Sequence, residues 1–166
     1  MRIRRESPAD IAAIHALHAA SFPTPGEARL VDTLRAAGHL WASLVAVENE
    51  QLMGHVAFSP VTLDRAAIGL GLGPIAVRSD YRRRGIAERL VRGGLELCRN
   101  GGVSFVVVLG DPRYYVRFGF EPARRWAMRD EFEGGDAFQA LELVPGAMPP
   151  GGGLVRYCAE FAALEA

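Results

Sequence analysis

The run Arg82-Arg83-Arg84-Gly85-Ile86-Ala87 carries the plainest chemistry in this chain. It stands between an apolar, strand-like stretch that ends at Val77 and a helical pattern that begins at Ile86. The first N–H groups of a helix lack partners within it, and the helix dipole makes that end positive. Gly85 removes the side chain that would hold an anion away, Ala87 keeps the next turn small, and three guanidinium groups add attraction. Such a turn is a cradle for a diphosphate. Other reactive side chains read differently. His55 lies on the strand face alternate to Val56 and Phe58, where it can line a cleft, although most strand histidines are simply half-buried. His15 and His18 share a helical side but find no third ligand, so no metal site is expected. Cys98, beside Leu95 and Leu97, reads as core packing rather than as a nucleophile.

The elements that must position the cradle follow from periodicity and punctuation. Ile3 sits in a short charged run that suits an edge strand. Ser7-Pro8-Ala9-Asp10 starts a helix, with Ser at the cap and Pro in the first turn, and Ile11, Ile14, Leu17 and Phe22 mark its apolar side. Thr24-Pro25-Gly26-Glu27 repeats the signal for a second helix that Gly38 closes. Trp41–Glu48 and Leu52–Thr62 read as a strand pair about a turn at Glu48-Asn49-Glu50. Ile68–Val77 is a third strand, whose Gly71, Gly73 and Pro74 suggest a bulge or a close ligand approach. A polar loop over 79–84 leads to a helix over 85–100, with Ile86, Leu90, Gly94 and Leu97 on one stripe. Val103–Leu109 is a buried strand, and Asp111-Pro112 opens a short helix ending at Phe118-Gly119-Phe120. Ala137–Val144 and Leu154–Phe161 are the last strands, parted by a Pro/Gly-rich loop at Pro145–Gly153. The order predicts a mixed α+β sheet of seven strands with four helices.

Composition bounds the function. The 166 residues predict one domain over 1–166, and 49% apolar residues can bury a core unaided. Nineteen basic side chains balance nineteen acidic ones, so no long-range pull toward nucleic acid or an anionic membrane is expected. Arg124-Arg125-Trp126 and Arg113-Tyr114-Tyr115 mix bases with aromatics as a nucleic-acid surface does, but the zero net charge speaks against that reading. Two distant cysteines form neither a zinc pattern nor a disulfide framework, and no leader or membrane-length apolar run is evident. The expected compartment is the cytoplasm.

With these elements in this order, the sequence resembles the GNAT acetyltransferase superfamily. Arg82-x-x-Gly85-x-Ala87 fits that family's Gln/Arg-x-x-Gly-x-Gly/Ala signature, and Gly73-Pro74-Ile75-Ala76-Val77 resembles its fourth strand. The segment from Gly110 to Phe120, containing Tyr115-Val116-Arg117-Phe118-Gly119-Phe120, resembles its Tyr-x-x-x-Gly-Phe element. With Gly54-His55-Val56-Ala57-Phe58-Ser59-Pro60-Val61 upstream, the whole is similar to the YhbS-like branch of bacterial N-acetyltransferases over nearly the full chain. The resemblance implies a GNAT fold: a mostly antiparallel twisted sheet in which the Ile75 and Val106 strands splay to hold coenzyme A. It implies acetyl-CoA as cosubstrate with no metal, the backbones of Ile75, Ala76 and Val77 on pantetheine, and Arg82, Arg83, Arg84, Gly85, Ile86 and Ala87 on the pyrophosphate. Arg83, Arg84 or Arg117 would meet the 3′-phosphate. The implied chemistry is direct acetyl transfer to a primary amine of a small molecule or peptide, with Tyr115 protonating the leaving thiolate and a homodimer as a further implication. The fourth strand carries no Glu or Asp to act as base, which leaves His55, Asp111 or water. A catalytically inactive acyl-CoA-binding sensor on the same scaffold is the alternative reading. The turn contains neither a Walker pattern nor Gly-x-Gly-x-x-Gly, so another nucleotide cofactor is disfavoured.

Overall fold

The computed structural model describes residues 1–64 and 66–165, without the side chains at 67, 68 and 165. The chain divides into two units, one of Met1–Phe58, Gly73–Leu95 and the C-terminal segment from Ala159, the other of Ser59–Leu72 and Glu96–Cys158.

In the first unit, β1 (Arg2–Arg5) pairs antiparallel with β2 (Ala42–Glu48), and β2 with β3 (Gln51–Leu63). The β2–β3 hairpin closes on Asn49 and Glu50, both at positive φ (50° and 63°), the geometry that keeps strand twist across a two-residue turn. Successive strand residues face opposite ways. Val45 therefore packs on Ile14 of α1 (Ile11–Ser21) and Val31 of α2 (Gly26–Ala36), while its neighbour Leu44 lies near Gly93 of α3 (Ile86–Asn100). Two helices thus cover one face of these strands and the third covers the other. Glycine lets α3 settle close: a Cβ on Gly94 would collide with the Phe58 ring, and one on Gly54 would stand 3.0 Å from Leu90 Cδ1. Ahead of α1, the Ser7 N–H donates to Asp10 at 2.7 Å. Arg4 grips the same carboxylate through two bonds of 2.7 and 3.0 Å, and that guanidinium is the main cause holding the Asp10 carboxyl down at about 2. The end of β4 (Ala66–Val77) runs beside β3, where the Arg78 N–H donates to Met53 O at 2.8 Å.

In the second unit, the earlier part of β4 pairs parallel with β5 (Phe105–Leu109) from Leu70↔Val106 to Leu72↔Val108. Val106, Val107 and Val108 are buried on both faces, as a parallel strand requires. Gly69 allows this approach, because a Cβ there would lie 2.6 Å from Phe105 O. β5 also pairs antiparallel with β8 (Phe138–Glu142), and β8 with β6 (Glu121–Pro122). β9 (Gly153–Arg156) joins the last residues of β3 and, in parallel, β7 (Met128–Asp130). After β5, Asp111 caps α4 (Pro112–Tyr115) by accepting from the Arg113 N–H at 2.9 Å.

The α+β order read from the sequence is the order of the structure, with differences at the margins. Nine strands occur among the described residues rather than seven. The additional ones, β6 and β7, are two and three residues long, too short to show a period. The loop over 79–84 opens with a 3₁₀ turn at Ser79–Tyr81. The strand expected over Leu154–Phe161 stops at Arg156, because the Tyr157 N–H donates to the Glu131 carboxylate at 2.9 Å, and Ala159–Glu165 winds into a 3₁₀ helix. No helix among the described residues is long and apolar enough to cross a membrane.

Candidate functional site

β4 delivers the chain to the basic turn, and α3 begins directly after it. Arg82 is extended, then Arg83 (φ 65°) and Gly85 (φ 75°) both take left-handed backbone, a conformation glycine adopts without the strain other residues meet. The Gly85 carbonyl accepts the first helical bond from Arg89 N at 3.1 Å, so the N–H groups at the start of α3 point outward unclaimed by the helix. A Cβ on Gly85 would find no atom within 4 Å, so the space above this residue is open. Arg82, Arg83 and Arg84 are all exposed. Two are held: Arg82 Nε donates to Val77 O at 3.4 Å, and the Arg84 guanidinium lies 4.9 Å over the Tyr81 ring, which Arg78 meets at 5.1 Å. Of the strand residues before the turn, Ala76 is buried while Ile75 and Val77 are half-buried. The structure therefore brings Ile75–Val77 and Arg82–Ala87 into one stretch of the first unit, with α3's bare N–H groups at its end.

Tyr115, in the second unit, closes α4. Its ring packs edge-on against Tyr114 (5.1 Å) and Phe120 (5.7 Å) and is seated over Gly110, where a Cβ would stand 2.5 Å from Cε2. Burial, and then the neighbouring Tyr114, pushes the phenol up to about 12. The group is a hydrogen-bond donor throughout the physiological range. Arg117 lies 4.3 Å over the Tyr114 ring.

The two base candidates have other employment. Asp111 is the exposed cap of α4, and its bonds with the Arg113 side chain and N–H lower its carboxyl. His55 is completely buried and belongs to a polar chain that crosses the first unit. Ser43 Oγ donates to Glu6 Oε1, so it must accept from His55 Nε2 at 2.7 Å. That leaves His55 Nδ1 as acceptor for His18 Nε2 at 2.8 Å. At the other end, Arg35 holds Glu6 through bonds of 2.8 and 3.0 Å. Burial drives His18 down to about 4 and His55 well below its ordinary value, so both are neutral at pH 7. Sequence periodicity missed this chain because its members come from five separate segments; the sole local hint was His18 standing beside Leu17 on the apolar side of α1. Cys98 is fully buried, and burial pushes its thiol up to about 12, which removes it as a nucleophile.

A second residue was not foreseen. Gly71, read as a bulge or close ligand approach, instead makes room for a side chain: a Cβ there would lie 2.6 Å from Tyr157 Cε1. The glycine announced a close approach without saying what approaches.

Known proteins resemble this chain in sequence and fold. The family described as "Acetyltransferase (GNAT) domain" matches residues 2–123. The N-acetyltransferase YhbS of Escherichia coli strain K12 is 42% identical over 164 residues, spanning 97% of this chain and 98% of that protein. The crystal structure of E. coli YhbS in complex with CoA superposes with a TM-score of 0.93 at 41% identity, covering 97% of this chain and 91% of that one. A GNAT acetyltransferase from Brucella melitensis, solved in complex with acetyl-CoA, reaches 0.82 at 38% identity over 96% of this chain and 97% of its own. With the family matched over residues 2–123 and likeness to E. coli YhbS across almost the whole sequence, the chain belongs to the GNAT family of acetyltransferases.

Proposed function

We propose that the protein transfers an acetyl group from acetyl-CoA directly to a primary amine on a small molecule or peptide. One observation carries this reading: the turn after β4, where Gly85 sits at φ 75° with open space above it, beside three exposed arginines and the bare N–H groups of α3. The solved relatives that hold CoA and acetyl-CoA support the same choice of cofactor. Acetyl-CoA supplies an activated thioester. In this reading the N–H groups of Ile86 and Ala87 and the guanidinium groups of Arg82–Arg84 bind the diphosphate. The backbone of Ile75, Ala76 and Val77 orients the pantetheine arm, and β4 N–H groups polarise the thioester carbonyl.

Tyr115 serves the departing sulfur. A phenol at about 12 would lose about 5 kcal/mol by giving its proton outright to a thiolate whose thiol has an ordinary pKa near 8.5. Its part is therefore hydrogen-bond donation while negative charge builds on sulfur. With His55 enclosed in its polar chain and Asp111 capping α4, water takes the proton from the amine.

Calorimetric titration with acetyl-CoA and with CoA tests the reading. Micromolar binding is expected in the wild type and none in Gly85→Glu, whose fold should survive because left-handed backbone costs a non-glycine residue only about 1–2 kcal/mol. Undiminished affinity in a folded Gly85→Glu would refute the cradle.

A further inference from the structure

The 19 basic side chains of the 166 residues are all arginine, and the sequence contains no lysine. Two of the three arginines in the turn after β4 use the shape of the guanidinium itself. Arg82 donates from Nε to Val77 O at 3.4 Å, which leaves both of its Nη groups for an anion. A lysine, with one nitrogen, cannot hold a carbonyl and still present a planar pair of donors. Arg84 lays its flat head over the Tyr81 ring at 4.9 Å, and Arg78 meets the same ring at 5.1 Å. Arg82, Arg83 and Arg84 are all exposed, so any acylating reagent in solution reaches them.

The choice of head group has a chemical consequence. An acyl thioester acylates a free amine: the nitrogen attacks the carbonyl, an N–C bond forms as the C–S bond breaks, the amine's proton passes to water and the thiol departs. On a lysine the product is a neutral amide, which no longer attracts a phosphate. At pH 8 a lysine of ordinary pKa near 10.4 is unprotonated in roughly 1 molecule of 250, whereas a guanidinium at 12.5 or above is so in fewer than about 1 of 30,000. Whatever neutral guanidine exists spreads its lone pairs over three nitrogens. We propose that the cradle is inert toward the thioesters it binds, so that acylation cannot lower its affinity for coenzyme A. By the same composition, no side-chain amine of the protein competes with the acceptor. This rests on the acetyl-CoA reading above and adds how that site escapes control by its own cosubstrate: its positive charge is one that acetyl-CoA cannot remove.

The test treats the full chain at pH 8 with N-hydroxysuccinimidyl acetate, an amine-acetylating reagent, and then with hydroxylamine to clear esters and thioesters. Intact mass counts the acetyl groups retained, and calorimetric titration gives the dissociation constant for CoA before and after treatment. The wild type should keep no more than one acetyl group, on the α-amine that pairs with Glu48 at 3.6 Å, and its CoA affinity should stay within about twofold. Arg83→Lys places an amine in the turn and is compared with itself. After treatment it should gain one further acetyl group and bind CoA at least about tenfold more weakly, through loss of a charge-assisted bond to phosphate. Arg84→Lys, which also gives up the stack on Tyr81, is a second such variant and should respond in the same way. A wild type that loses CoA affinity on treatment overturns the proposal, and so does a lysine variant that takes up its acetyl group and binds CoA as before. Failure of the untreated wild type to bind CoA would sink the cofactor reading instead, so the two failures are told apart.

Discussion

In the role proposed for it, Tyr115 is rigidly held yet poorly matched in acidity. Its ring is locked among Tyr114, Phe118 and Phe120, which fixes where the hydroxyl points, while the same burial holds its proton tightly. Tyr115→Phe keeps the packing and deletes only the donor. Thiol release with an amine acceptor should then show kcat lower by roughly 10²-fold, with the dissociation constant for acetyl-CoA nearly unchanged. A matching loss of donor affinity would make the hydroxyl a binding group instead. The turn proposed as the cradle was legible in the sequence as an element because its signals are local: a glycine and three arginines between a strand and a helix need no distant partner to be understood. Tyr157 and Gly71 were not, since nothing in either neighbourhood names the other, and Gly71 alone cannot distinguish a ligand from a ring.

Among the elements, α3 and the strands beneath it depend on small residues at the contact. Gly94→Ala adds one methyl group directly into the Phe58 ring. Overpacking of this kind costs about 1–3 kcal/mol, more than the gain in helix propensity of about 1 kcal/mol that alanine brings. Urea unfolding should show a lower midpoint with an unchanged slope; a midpoint at or above that of the wild type would mean that Phe58 can move aside. The helices and the β2–β3 hairpin could be read in advance because their caps, turns and periods lie within a few residues of one another. The two-residue β6 and the three-residue β7 carry no period, and the end of β9 is decided by Glu131, a side chain from another segment.

For the whole molecule, the buried His18–His55 chain sets how stability responds to acid. Folded His18 takes up a proton near pH 4, the unfolded chain near its ordinary 6.5. Between those values the unfolded state binds more protons, so stability is complete above about pH 6.5 and falls as the pH drops toward 4, by roughly 3 kcal/mol from His18 alone. His55, also depressed, acts in the same direction. Asp10, held at about 2 by Arg4, has the opposite charge logic but the same outcome lower down: its contribution stays whole above about pH 4 and fades as the pH falls through 2. Thermal melts from pH 8 to pH 4 should therefore show Tm declining below 6.5, and His18→Gln should flatten that decline; an identical slope in the variant would remove His18 as its source. Enclosure has a practical face at Cys98 as well. Of the two thiols in the chain, Cys98 is sealed in and protonated up to about 12, and only Cys158 is half-exposed. A disulfide-exchange dye following coenzyme release would thus register at most one equivalent from the protein, a fixed offset that stays constant while the signal from turnover grows.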